Sequence, residues 1–305
     1  LVKIRGILLL FLAAAGNVFG VLLARRNWKL GRVDRKGALR IAIAHFLLNF
    51  LVWIGTVHSL ASEEMIFSLF RSGAQWLMSG AMIWLLYLAL EPALRARWPH
   101  SIVTWNRILG GRWLDPQVGS HILIGATVGC AMWVAAEWFS AWAEPGNTLS
   151  HGGALFSTLG TRQWIAGHAD HLAFALTFSL ISFFAIFGLR RLLRSEILAA
   201  IAASILFILS RGDVINSPQW QVRAIILISM FGILIFFLLR SGLVTTMSAI
   251  FFIDGMNAII LGTDWKTWYA PAGLATLLLL LGIALFAFWR SLGSRELLGG
   301  AEAVT

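Results

Sequence analysis

Two carboxylates, Glu137 and Asp254, sit in stretches that are otherwise apolar, and any chemistry in this chain would begin with them. A carboxylate surrounded by hydrocarbon is costly unless it is paired or protonated, so each is a candidate for carrying a proton or holding a cation. Glu137 comes late in one apolar run. His168, Asp170 and His171 open the next at about the same depth, which makes a Glu–His contact across two neighbouring helices geometrically reasonable. Such a cluster would sense protons or a metal ion. However, His-x-Asp-His is not a specific metal spacing, and His168 and His171 share a helix face only as an i, i+3 pair. The alternative is an interfacial hydrogen-bond network. Asp254 has Asn257 one turn further on. That pair would serve a proton or cation path, or else hydrogen-bond one helix to another.

The elements that position these residues follow from composition. Of 305 residues 59% are hydrophobic and 12% charged, against roughly 25% charged in a soluble domain. Apolar runs near the length of a membrane span recur along the chain, which predicts an all-α, polytopic transmembrane helix bundle forming a single domain over 1–305. Fifteen Trp against two Tyr fit anchoring at membrane interfaces. The net charge of +10 belongs to loops at one membrane surface, and no groove-reading or base-stacking module accompanies it, so nucleic acid is not an expected partner. Cys130 is the single cysteine, which excludes an internal disulfide and a cysteine metal site. No phosphate-binding loop of the G-x-x-x-x-G-K-[ST] type and no kinase catalytic motif occurs, and no cofactor is expected. The chain begins at Leu1 without a cleavable-leader pattern, so it is expected to be a fragment.

The spans are expected at about 7–24, 41–57, 74–90, 115–142, 170–189, 197–210, 222–239, 243–262 and 272–289, about nine in all. Span six is short for a bilayer, and spans six to eight are the least sharply bounded. A basic loop over 25–40, with Arg25, Arg26, Lys29, Arg32, Arg35, Lys36 and Arg40 against Asp34 alone, places that loop inside. The N-terminus is then outside and the C-terminus inside, with most of the 24 Lys and Arg on the inner side. Residues 58–71 and 143–169 become outer loops. Within the second, Leu155, Leu159 and Trp164 suggest a short surface or partly re-entrant helix. No internal repeat is visible, which disfavours an inverted-repeat transporter.

The inner interfacial loop at 91–115 carries its own signals. Glu91-Pro92 reads as the end of one span, and Asp115-Pro116 as a helix N-cap followed by proline at the first helical position. Between them, Ile102, Trp105, Ile108 and Leu109 recur at helical spacing with Thr104, Asn106 and Arg107 opposite. This is the pattern of a short amphipathic helix over 101–109 lying at lipid level. Arg95, Arg97, Trp98, Trp105, Arg107 and Arg112 are candidates for contact with anionic lipid or with a cytoplasmic partner, the alternative being simple anchoring.

The basic run ARRNWKLGRVDRKGALR, the stretch WLLYLALEPALRARWPHSIVTWNRILGGRWLDPQVG and the C-terminal DWKTWYAPAGLATLLLLLGIALFAFWRSLGSRELLGG resemble the membrane-embedded C-terminal region of acidobacteria-type bacterial serine/threonine protein kinases. The resemblance covers nearly the whole chain in order. Two departures stand out: Ser120-His121 replaces an expected Arg-Asp pair, and Asp254 stands where the family prefers Asn. What the resemblance implies is a non-catalytic anchor or sensor module in the bacterial inner membrane. Its partners would be the lipid bilayer and a cytoplasmic kinase domain of the same parent chain, with room for a homodimer. It places no catalytic residue on this chain.

Two other classes stay open. One is a small-solute or ion transporter using Glu137 and Asp254. The other is an intramembrane enzyme, either around Glu137 and His171 or of the Glu-Glu-x-x-x-Arg protease type. For the latter, Glu63-Glu64 and the His45/Asn49 pair supply residue types, but Arg71 is too far along and the order is reversed.

Overall fold

The computed structural model describes residues 2–57, 63–143, 155–215, 219–260 and 265–293, and among them every regular element is a helix. In order these are α1 (Val2–Lys29), α2 (Arg35–Thr56), α3 (Glu63–Arg97), α4 (Pro99–Leu109), α5 (Pro116–Ala143), α6 (Leu155–Thr158), α7 (Thr161–Leu193), α8 (Glu196–Ser210), α9 (Gly212–Ile215), α10 (Trp220–Arg240), α11 (Leu243–Asn257) and α12 (Ala270–Leu292). Seven of them (α1, α2, α3, α5, α7, α10 and α12) are long and apolar enough to cross a membrane, and α8 and α11 are shorter apolar helices. The outer face is as greasy as the core. On α12 alone Leu278, Leu281, Leu285, Phe286 and Trp289 are exposed. A surface of that kind is stable against lipid and not against water, which identifies a multi-pass membrane protein.

The sharpest departure from the sequence reading is α3. Its 35 residues begin at Glu63, inside the expected outer loop, and pass straight through Glu91-Pro92, the expected stop. A proline inside a helix removes the N–H that would bond the carbonyl four residues back, here that of Leu88. Asn27 near the end of α1 fills the gap. Its side-chain amide donates to Leu88 O at 3.1 Å and to Ala89 O at 3.0 Å. With the orphaned carbonyl satisfied from a neighbouring helix, α3 continues for another turn and more. Two further bounds differ. α7 starts at Thr161, so Trp164 belongs to it, and only the single turn α6 precedes it where a surface helix was expected. α11 stops at Asn257, short of the expected 262, and residues 258–260 leave the helix to pass close under α12, where Ile260 backbone atoms abut Gly273.

α11 sits at the centre of the bundle. It packs against both α5 and α7, and those two helices barely touch each other. Gly125 and Gly129 on α5 make this possible: a Cβ on either would collide with the carbonyl oxygen of Thr245 or Ala249 on α11. Small residues four apart let two backbones approach closely where no hydrophobic effect drives them together. Met132, Ala175, Leu234, Ala249 and Ile250, from α5, α7, α10 and α11, close the core around that contact.

α4 forms as expected, starting two residues earlier on Pro99. It lies across the end of the bundle as a floor. Ile102 and Trp105 are buried in the main core, and Thr104, expected on the outward side, is buried too, with its hydroxyl 2.9 Å from His121 Nδ1 on α5.

Candidate functional site

Two polar centres lie at opposite ends of the bundle. At the end where α7 and α12 begin and α11 finishes, His168 is buried on α7 and Thr276 is fully buried on α12. The Thr276 hydroxyl donates to Ala272 O at 2.9 Å, which leaves its oxygen free to accept. Trp164 Nε1 donates to it at 2.9 Å, and His168 Nε2 lies 3.3 Å away. That assignment puts the His168 proton on Nε2 and leaves Nδ1 a bare acceptor, buried with no hydrogen-bond partner. The His171 ring stands edge-on at 5.6 Å, and its Nδ1 is likewise unpartnered. Asn257 accepts from Trp133 Nε1 at 2.8 Å and so ties α11 to α5. Asp254, in the last turn of α11, accepts no hydrogen bond on its carboxylate among the described residues, and Asp170 is the charged group that acts on it. An anionic side chain in that turn opposes the helix dipole.

The structure therefore gathers Trp164, His168, His171 and Thr276, and it brings Asn257 to Trp133. Glu137 is not joined to the histidines. It makes no hydrogen bond or ion pair among the described residues, one of its carboxylate oxygens is buried without a partner, and α11 stands between its helix and α7. Asp170 is exposed. Among the described residues no three His, Cys, Asp or Glu groups come together as a metal site. Thr276 was missed in the sequence because a single threonine in an apolar run reads as neutral; its signal was that it is the polar residue of LATLLLLL.

The second centre lies at the other end, around the junction of α3 and α4. Glu91 has no exposed surface. One of its oxygens is ion-paired with Arg95, one turn on, whose side chain is 60% exposed, while the other oxygen has no hydrogen-bond partner. A carboxylate buried this completely is expensive, and breaking its pair leaves the charge uncompensated. Asp34, the N-cap of α2, is the other charged group acting on it, and Asn27 closes the α1 side. Glu91 was read in the sequence as helix punctuation because it precedes a proline; the i, i+4 Arg was the available signal.

From there α4 reaches four more helices. His100 Nε2 lies 2.8 Å from Leu239 O at the end of α10. Gly242, at φ 93° just before α11, packs its backbone on the Ser101 carbonyl. Thr104 meets His121 on α5, and Arg40 on α2 donates to Leu109 O. Arg107 Nη1 bonds Asp115 Oδ1 at 2.6 Å ahead of α5. Partial desolvation raises the Asp115 carboxyl, but the Gln117 N–H, the Arg107 hydrogen bond and the charges of Arg107 and Arg112 outweigh it and hold the group below the usual carboxylate range.

Of the inner-loop candidates, Arg95, Arg97 and Arg112 are exposed and Arg107 is half-buried in its pair. Trp98 and Trp105 are buried, at 5% and 7% exposure. Their rings pack within the protein, so the aromatic face this loop offers to lipid is that of Trp113, which is 70% exposed.

No protein-family model matches the chain, and neither a curated protein nor a solved structure matches it.

Proposed function

We propose that the chain is a non-catalytic membrane anchor and sensor module of a receptor-like bacterial serine/threonine protein kinase, with about nine spans, N-terminus outside and C-terminus inside, in the bacterial inner membrane. The observation that carries the reading is the α3–α4 hub. One short helix contacts the ends of α2, α3, α5, α10 and α11 on the face where Arg25, Arg26, Arg95, Arg97, Arg112 and Arg190 gather. Connectivity supports the span count, since counting α8 and α11 as crossings lets every helix alternate and returns each basic helix end to one side. Rearranged packing among the spans would shift α4 as a unit, and a kinase domain of the same parent chain on that side would feel it. Phosphate transfer would be the work of that domain.

The test is twofold. Genomic DNA upstream of the Leu1 codon is expected to continue in frame into a kinase domain; a start codon there, beside transport genes, overturns the proposal. In the parent protein, substituting Arg95 and Arg97 by Gln is expected to change autophosphorylation, and an unchanged rate also counts against it.

The second reading, a proton- or cation-coupled transporter, is favoured by Asp254, whose carboxylate accepts no hydrogen bond among the described residues and feels the charge of Asp170. Asp254→Asn abolishing uptake of a cation into vesicles would favour it over the first.

A further inference from the structure

A recess of about 390 Å³ opens where α7 ends beside the end of α3, and four arginines line it: Arg97, Arg190, Arg191 and Arg194, with Phe187 as the apolar wall. Its size falls in the range of small-molecule sites and exceeds what a bare ion needs. Among the described residues the four cations meet a single acidic partner, Glu196, which takes Arg190 Nη2 at 3.0 Å. Arg190 is held on its other side by the buried ring of Trp98, 5.5 Å from the guanidinium carbon, and its Nε is buried with no hydrogen-bond partner. So the most enclosed guanidinium is fixed in orientation with a donor unused.

Backbone geometry adds an independent observation. Arg194 caps α7 at φ 57°, and among the described residues it is the only non-glycine with positive φ. Glycine is the ordinary residue at such a position, because a side chain there is strained. A long cation kept in that conformation turns its side chain into the recess. Strain of this kind, where observed, points toward a functional constraint.

We propose that this recess binds a phosphate-bearing anion. Several guanidinium forks converging on one volume suit the oxygens of a phosphoryl group, and each repels the others until an anion joins them. Phe187, the apolar wall of the recess, suits a phosphate attached to a lipid, so the headgroup of an anionic phospholipid and a free polyphosphate are the two sources. The inference rests on the bilayer placement proposed above and not on coupling to a kinase.

The experiment uses the whole chain purified in detergent. Its melting temperature is followed while phosphatidylglycerol, phosphatidylcholine or inorganic pyrophosphate is added. Phosphatidylglycerol is expected to stabilise the protein where phosphatidylcholine does not. R191Q/R194Q is expected to weaken that effect at least tenfold in half-saturating concentration, as loss of charge-assisted hydrogen bonds implies. R32Q/K36Q removes the same charge from two exposed positions, one just before α2 and one in its first turn, and is expected to bind like the wild type. Arg194→Gly keeps the proposal testable if the double variant does not fold, since glycine suits φ 57°: it should melt no lower than wild type and still bind more weakly. Protection by pyrophosphate at comparable concentration assigns the site to free phosphate, and protection by lipid alone assigns it to a headgroup. Binding by R191Q/R194Q or R194G within twofold of wild type overturns the proposal, and so does an equal loss in R32Q/K36Q. Reporter fusions showing these arginines inside, together with absent binding, would separate failure of this site from failure of the membrane placement.

Discussion

Replacing Asn27 by Leu tests the account of α3 directly. The substitution keeps the volume and removes the two hydrogen bonds, at 3.1 and 3.0 Å, that fill the gap above Pro92. Hydrogen bonds between membrane helices average about 0.6 kcal/mol and reach about 1.7. A buried carbonyl left without a donor costs about 1–3 kcal/mol, and Asn27 is 9% exposed, so water gives little relief. The expected loss is about 2 kcal/mol. The decisive measurement is a cycle with Pro92→Ala, which restores the N–H that Leu88 O lacks. In that background Asn27→Leu should cost no more than about 0.5 kcal/mol, a coupling of roughly 1.5 kcal/mol, where independent sites add to within about 0.5. Reversible unfolding in mixed micelles, followed by tryptophan fluorescence, reads all four proteins. Additive losses would refute the idea that Asn27 is what carries α3 through its proline.

Further outcomes follow from the packing. Gly129→Val should separate α5 from α11 and destabilise the bundle by at least the 1–3 kcal/mol of an overpacked core, seen as a lowered melting temperature, whereas the exposed Gly282 should accept valine with little change. Thr276→Val strands Trp164 Nε1 and His168 Nε2, at about 1–3 kcal/mol, and should shift tryptophan emission, while Thr276→Ser should be near wild type. The Asp115 carboxyl is held low in the folded chain, so its contribution is complete above the ordinary carboxylate value near 3.8 and fades only as pH falls below it. The pair is partly exposed, so the difference from Asp115→Asn should stay under about 1 kcal/mol and shrink as pH falls below about 3.8, measured by melting between about pH 2 and 6. Reporter fusions at Gly31, Gly110 and Gly146 are expected to report inside, inside and outside, and an inside signal at Gly146 would refute the topology.

The sequence made legible what is encoded locally. Pro99, Asp115-Pro116 and the helical recurrence of Ile102, Trp105 and Ile108 announce α4 and the start of α5 within a few residues of where they lie. What it hid depends on distant partners. Pro92 reads as a stop because the residue that rescues it is far back on another helix. Glu137 and His171 looked like neighbours because consecutive spans usually pack together, and α11, arriving a hundred residues later, takes the space between them. Glu91 looked like loop polarity, and only the fold shows how completely it is enclosed. Residues 144–154, within the expected outer loop at 143–169, lie outside the described residues.

The central place of α11 also bears on how the chain is made. Its two main neighbours, α5 and α7, leave the ribosome well before it, and domains assemble as their parts emerge. Until α11 arrives, the glycine face of α5 has nothing to close upon, because Gly125 and Gly129 meet the backbone of α11 at Thr245 and Ala249. The helix between α5 and α7 thus arrives after most of its neighbours, with only α12 still to come. A chain terminated after α10 would present to the cell's quality-control proteases helices that lack the contact joining α5 to α7.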